Sequence, residues 1–294
     1  MLSKRAGLWV GLIALLGLLS LGSSCSKGGG GDEGGPGTET GTAYTSKGDE
    51  GTVSGTVAFT GAAPEPKKID TSADAACTAK SPNLTAEDWV VKDGKLANTF
   101  VYIKEGTLSD GKKISDYSFA TPSAAVTLDQ NGCHYRPHVL GVMVKQEINI
   151  TNSDPTTHNI HFLQSKNPDW NQSQPNGAAP LKHKLNTAEV MAPVKCNQHP
   201  WMKAYFGVMK HPFFAVSAED GSFKITGVPP GKYTVVAWHE PSGGGNGTEK
   251  TMEVTVPAKG SATADFSFGA SAALRGQPSS LPMAAAIEFP MLHK

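Results

Sequence analysis

The sequence predicts an all-β protein with little helix. Between Gly51 and Phe268, apolar residues recur in short runs that alternate with polar ones, as in Tyr233, Val235 and Ala237 set against Thr234 and Val236. That period of two belongs to a half-buried strand rather than to a helix. Turn chemistry separates the runs: "NSDP" before His158, Asp220-Gly221, and Pro229-Pro230-Gly231. Such clusters punctuate strands and open hairpins.

The ends of the chain read differently. Lys4 and Arg5 precede an apolar run from Leu8 to Leu21, short for a bilayer span and followed by "GSSC". This has the form of a cleaved signal peptide over residues 1–25. The ending resembles a bacterial lipoprotein box, with Gly22 where that box usually has Leu, which implies lipidation at Cys25 and a membrane anchor. The alternative is ordinary secretion with cleavage near Ser24, and both readings place the protein in the cell envelope or outside it. Residues 26–50 are glycine-rich, offer almost nothing to bury, and are expected to form a flexible tether. Residues 269–294, rich in Ala, Ser and Pro, are expected to be a loosely held tail. Lys plus Arg and Asp plus Glu both number 26, so nothing in the charge suggests a nucleic-acid partner.

There are four cysteines to place. With Cys25 taken by the leader, Cys77 and Cys133 are the natural candidates for a disulfide in an oxidising compartment, leaving Cys196 alone. An unpaired cysteine is ordinarily a buried core residue. Here its neighbourhood argues otherwise, because "VKCNQHPWMKAY" sets Cys196, His199 and Met202 at offsets of three and three. Thiolate, imidazole and thioether are the soft ligand set of a blue-copper site, which uses two histidines, one cysteine and a weak axial methionine. The second histidine should come from an upstream loop, and "EINITNSDPTTHNIHF" offers His158 directly after its turn. Zinc would call for further Cys or His ligands and does not favour Met.

The run from Tyr135 to Lys210 resembles a cupredoxin, the plastocyanin and amicyanin family of Greek-key copper proteins. "PHVLGVMVKQEINITNSDPTTHN" is similar to the strands, turn and first ligand of that family, and "PVKCNQHPWMKAYFGVM" to its second ligand loop and closing strand. The resemblance implies His158, Cys196 and His199 as equatorial copper ligands, Met202 as the axial one, and Asn159 as the residue tethering the two ligand loops. The Cys-x-x-His-x-x-Met spacing is the short, amicyanin-like form. The resemblance further implies that His199 lies near the surface, where its imidazole would pass electrons to a redox protein partner beside Pro200 and Trp201. His161 should point to the opposite face from His158, as a rim residue. His138, His211 and His239 are read as structural, the last two with a small chance of a second metal or interface contact.

A second pattern, "DGSFKITGVPPGKYTVVAWH", closely resembles the carboxypeptidase regulatory-like domain, a transthyretin-like sandwich. Its usual opening strand is missing upstream of Phe213 and is found instead as "GTVSGTVAFTGAAP" from Gly51, with "LANTFVYIKEG" from Leu96 resembling the next strand. The expectation is therefore a cupredoxin over residues 108–212 inserted into a regulatory-like sandwich made of 51–107 and 213–268, the alternative being two tandem domains. The polar segment between the ligand loops, "QSKNPDWNQSQPNGAAPLKHKLN", should cover a sandwich edge without regular structure.

Function is expected to follow from the metal site: single-electron carriage by one type 1 copper, without enzymatic activity. The alternatives are a copper-buffering or scaffold lipoprotein, and an oxidase or nitrite reductase. The latter would need a second copper with its own histidine cluster, for which only "HNIH" offers a close pair. A Cys196–His199 nucleophile pair would leave Met202 without a role.

Overall fold

The computed structural model describes residues 41–240 and 247–269. The protein is all-β: among these residues the helical elements are the six-residue helix Ala75–Lys80 and the single turn Ile114–Asp116. The leader, Cys25, most of the tether and the tail beyond Gly269 lie outside the described residues.

Two pairs of sheets enclose two cores. In the first, one sheet runs in the order Leu181–Lys184, Glu147–Asn152, Val126–Gln130, Tyr135–Arg136. The facing sheet runs Trp170–Gln174, His158–Phe162, Glu189–Lys195, Lys203–Met209, Val139–Met143. Each sheet contains one parallel pairing, Glu147–Asn152 with Val126–Gln130 and Lys203–Met209 with Val139–Met143. Alternation decides what points inward. Ile148 and Ile150 from one sheet meet Ile160, Phe162, Val194 and Phe206 from the other in a single apolar cluster. Burying such side chains contributes roughly 25 cal/mol per Å² of apolar surface.

The second core lies between strands drawn from both ends of the sequence. Phe100–Leu108 pairs antiparallel with Phe214–Val216 and with Gly231–His239, which in turn pairs with Thr248–Val256. Gly51–Thr60 pairs antiparallel with Ser222–Val228 and parallel with Phe266–Gly269. Val53, Val57, Ile103, Phe223, Ile225, Tyr233, Val235 and Phe268 fill the space between. The one buried hydroxyl among these, on Tyr233, donates to the Pro229 carbonyl at 2.8 Å.

A third cluster joins the two sandwiches, with Phe100, Tyr102, Val236 and Trp238 meeting Val139, Tyr205 and Met209. Two glycines make this junction possible. Gly141 and Gly207 face each other across the parallel pair. A Cβ on Gly207 would lie 2.2 Å from the Phe100 ring, and one on Gly141 would lie 2.3 Å from the Phe214 ring. The bare backbone lets the aromatic rings of one sandwich lie flat on the sheet of the other.

Three sequence expectations need correction. Residues 41–50 do not belong to a free tether: Thr42–Ala43 pairs parallel with Tyr117–Ser118, Tyr44 packs on Phe119, and the Tyr44 hydroxyl donates to Glu50 at 2.7 Å. One aromatic residue supplies the apolar anchor that glycine-rich composition concealed. Residues 51–107 do not serve one sandwich only, since Ile69, Cys77 and Leu84 pack into the core of the sandwich that carries His158 and Cys196. The segment between the ligand loops lies at sheet edges as expected, but it forms the strands Trp170–Gln174 and Leu181–Lys184. There the hydrogen bonds of the neighbouring strand override the weak local propensity.

Candidate metal centre

The residues at the His158 end of the first sandwich come from three separate stretches. His158 opens the strand His158–Phe162, directly after a turn in which Asn152 Oδ1 accepts from the Asp154 N–H at 3.0 Å. Cys196 follows the strand Glu189–Lys195, and the loop to Met202 is closed by two backbone bonds, Cys196 N–H to the Met202 carbonyl at 3.1 Å and Met202 N–H to the His199 carbonyl at 2.8 Å. The third stretch, 71–78, reaches the site from far upstream.

His158, Cys196 and His199 converge, all buried. Their Nδ1 atoms, His158 to His199, are 2.9 Å apart, and Cys196 Sγ lies 3.7 Å from His199 Nδ1. Met202 is fully buried in the same apolar cluster as Cys196. Asn159 ties the two loops together: its N–H points at Cys196 Sγ at 3.5 Å, the thiol donates to Asn159 Oδ1 at 3.3 Å, and the same oxygen accepts from the Asn197 N–H at 2.7 Å. His161 faces away from this group and bonds Asn197 Oδ1 at 3.2 Å and Asp169 at 2.9 Å.

Both ring Nε2 atoms are held by carboxylates. His158 Nε2 meets Asp154 Oδ2 at 3.0 Å, and His199 Nε2 meets Asp74 Oδ2 at 3.0 Å. Each carboxylate is itself fixed by backbone amides. Asp154 accepts from the successive N–H groups of Gly132 and Cys133, both at 2.7 Å. Asp74 caps the helix Ala75–Lys80, its Oδ1 accepting from Ala76 and Cys77 N–H at 2.8 and 3.1 Å, while Thr156 Oγ1 donates to Oδ2 at 2.8 Å. A ring N–H given to a carboxylate leaves the other nitrogen as the free ligand atom, so this pattern aims both Nδ1 lone pairs at one point.

The electrostatics agree. Burial of Cys196 favours the neutral thiol, but the His158 hydrogen bond and surrounding backbone N–H groups outweigh it and bring the thiol down to about 7. Burial likewise opposes charge on His158, and its bonds to Asp154 and Cys196 raise it to about 9. Burial disfavours the ionised Asp74, yet its hydrogen bonds hold it at about 2. In the absence of metal the thiol and the His158 imidazole already share a proton, and a cation would replace it.

Neither Asp74 nor Asp154 was singled out by sequence reasoning. Asp154 was visible only as part of a turn and Asp74 only as a residue near Cys77. A serine or aspartate shortly before a small helical run is a capping signal, but nothing local says what the second carboxylate oxygen will meet. The expected exposure of His199 also needs correction, since it is only 4% exposed. Asp74 covers its Nε2, and Cys77, on the same helix, is disulfide-bonded to Cys133. Trp201, partly exposed, packs on the His199 ring with centroids 5.1 Å apart and donates to the Cys133 carbonyl at 3.1 Å. His138, His211 and His239 lie outside the group and are buried elsewhere.

No family model matches the chain, and no curated protein matches it. Among solved structures it is similar to the copper-containing nitrite reductase of Thermus scotoductus, 19% identical over 30% of this chain and 23% of that one, with a TM-score of 0.27. It is also similar to a purple cupredoxin from Nitrosopumilus maritimus, 19% identical over 28% of this chain and 98% of that one, with a TM-score of 0.25. Amicyanin from Paracoccus versutus is 14% identical over 37% of this chain and 96% of its own, with a TM-score of 0.26. The chain thus spans about a quarter of the nitrite reductase. What can be said of the site's chemistry rests on its donor atoms.

Proposed function

We propose that this protein is a type 1 copper protein of the cupredoxin kind that carries single electrons. The observation that supports this is the convergence of two imidazole Nδ1 atoms and one thiol, with both remote ring nitrogens fixed by carboxylates. The donor set fits copper: two nitrogens and a thiolate suit a trigonal cupric site, and thioether and thiolate suit the cuprous ion. His158, Cys196 and His199 would hold the metal, with Met202 as the weak axial ligand. Bound copper would supply a one-electron couple.

The chain's own residues prepare that chemistry. Asp154 and Asp74 orient the rings, Asn159 fixes the sulfur, and the burial of His158, Cys196 and His199 keeps water away, so the ligands need little rearrangement between oxidation states. Trp201 stands between His199 and solvent, and together with Pro200 it is the contact we assign to a redox protein partner. Catalysis is not invoked. Release of metal to another protein, the buffering alternative, is disfavoured by Cys196 and Met202 being 1% and 0% exposed.

We also propose that the ligand-bearing sandwich is an insertion in a regulatory-like one, which the pairing of Gly51–Thr60 with Ser222–Val228 supports. Export, and anchoring through Cys25, remain part of the proposal on the sequence of the leader alone. The deciding experiment is to load the protein with copper and record absorption, spin resonance and voltammetry. An intense thiolate-to-copper band, a narrow copper hyperfine splitting and a reversible one-electron wave are expected. A colourless protein, or one that loses copper on reduction, would sink the reading.

A further inference from the structure

The Cys77–Cys133 disulfide lies against both imidazoles of the centre. Cys77 Sγ, an Asp74 carboxylate oxygen and a His199 ring nitrogen lie within 4.8 Å of one another, and the same holds for Cys133 Sγ, Asp154 and His158. Each half of the disulfide also anchors the carboxylate on its own side. The Cys77 N–H donates to Asp74 Oδ1 at 3.1 Å, and the Cys133 N–H donates to Asp154 Oδ2 at 2.7 Å. Those carboxylates hold the rings, Asp74 Oδ2 at His199 Nε2 and Asp154 Oδ2 at His158 Nε2, both at 3.0 Å. One covalent bond therefore joins two carboxylate–imidazole pairs.

The two pairs are not equally enclosed. The side chains of His158 and Asp154 are 0% exposed, whereas those of His199 and Asp74 are 5% and 19% exposed. Solvent thus meets the centre on the Asp74 side. The cover there is the stretch that carries the six-residue helix Ala75–Lys80. A helix that short does not hold itself in water, so its position depends on its attachments. Thr156 Oγ1 donates to Asp74 Oδ2 at 2.8 Å at one end, and Ser81 Oγ donates to the Gly132 carbonyl at 2.9 Å at the other. The disulfide fastens the middle.

We infer that the Cys77–Cys133 disulfide and Asp74 together lock the metal centre: Asp74 is the positioning residue for His199, and the fastened segment denies the metal any ligand from solution. The inference rests on the electron-carrier reading and deepens it. A catalytic metal keeps an open position for water or substrate, whereas a centre closed in this way is left with electron exchange.

The test uses the full copper-loaded chain, with azide as the outside ligand. Azide should leave the absorption and spin-resonance spectra of the unaltered protein unchanged. In the variant carrying both Cys77→Ser and Cys133→Ser, and in Asp74→Ala, which keeps the disulfide, azide should produce a new saturable azide-to-copper band and a changed copper hyperfine splitting. Asp74→Asn keeps the volume but places an amide where a carboxylate oxygen accepted, so it should alter the hyperfine splitting while azide stays excluded. A second measurement needs no metal. Deuterium exchange at the His199 ring carbon between the nitrogens is followed by mass spectrometry on the metal-free protein at fixed pH. It should be slower than at the partly exposed His161 in the unaltered protein, and should rise to the His161 rate in the double serine variant and in Asp74→Ala. Circular dichroism shows which variants are folded. A colourless protein would remove the electron-carrier reading, and the exchange rates would still decide whether this segment seals His199. Azide binding to the unaltered protein would overturn the lock, as would folded variants in which azide exclusion and slow exchange both persist.

Discussion

The two sandwiches of this protein are built from similar strands and filled in opposite ways. Between Gly51–Thr60 and Phe100–Leu108 the core is apolar, and the buried Tyr233 hydroxyl is answered by one carbonyl. Between Glu147–Asn152 and His158–Phe162 the core also encloses Gln130, Asp154, His158, Asn159, Gln174, Cys196 and His199. Those polar groups are connected: Gln130 donates to Gln174 at 2.7 Å, Gln174 donates to the Ile150 carbonyl at 3.0 Å, and Asp154 bridges two backbone amides to His158. Each buried polar group costs stability unless it is paired, and these hydrogen bonds fix geometry where they are made. The contrast teaches where rigidity has been concentrated. One sandwich is filled chiefly by apolar side chains, and the other fixes the thiol and imidazoles of the proposed metal centre.

The sharpest way to break the comparison is at the thiol. Cys196→Ser should abolish the thiolate-to-copper band of the copper-loaded protein while its circular dichroism stays unchanged, because the coloured species depends on sulfur. His158→Ala should do the same and His161→Ala should not. An unaltered spectrum in Cys196→Ser would remove that residue from the site.

Next in size is the tie between the capping segment and the ligand-bearing sandwich. The Cys77–Cys133 disulfide spans 56 residues, and in the chain-entropy model a loop of that size contributes about 4 kcal/mol. Replacing both cysteines by serine should lower stability by that order in denaturant titrations. A loss well under 1 kcal/mol would show that the segment is held by other contacts.

His211 and His239 are imidazoles that the apolar side tolerates, and His239 is stacked on Trp89. His211 stacks on Phe213 and meets Phe119 edge-on, and burial pushes it down to about 4. Lys104, Lys166, Lys210 and Glu189 line the cavity beside it. Above its ordinary value near 6.5 the ring is neutral in both folded and unfolded chains. Between there and about 4 only the unfolded chain takes up the proton, so stability falls with falling pH by roughly 3 kcal/mol and then levels off. Comparing denaturation midpoints at pH 7 and pH 4 should show this slope, reduced in His211→Phe. An identical slope in the variant would assign it to other groups.

Smaller effects sharpen the contrast. Asp154→Asn should keep the fold and weaken copper by about 10–100-fold, since a conserved shape replaces the charge that orients His158. Equal affinity by competition with a chelator would reduce Asp154 to a turn residue. Gly207→Ala, which drives a methyl into Phe100, should cost about 1–3 kcal/mol by overpacking while leaving the copper spectrum alone. A neutral result would mean that Phe100 can turn away.

Much of the centre is legible in the sequence because its donors are close along the chain. Cys196, His199 and Met202 lie in one loop, so a three-and-three spacing alone brings thiol, imidazole and thioether together, and the turn before His158 marks the second loop. The all-β class is equally local, since a period of two in short runs admits few other solutions. What folding decided is everything that depends on distant segments meeting. Asp74 lies 125 residues before His199, and Glu87 and Glu240 approach His138 from 51 residues before and 102 after. In the sequence Asp74 reads as a turn or helix-cap residue, Glu87 as a surface acid and His138 as a lone imidazole. Local periodicity fixes which face of a strand a side chain occupies but not which segment will cover it. Covering is settled by the packing of one core against another, and there Asp154 and Asp74 acquired the imidazoles they hold.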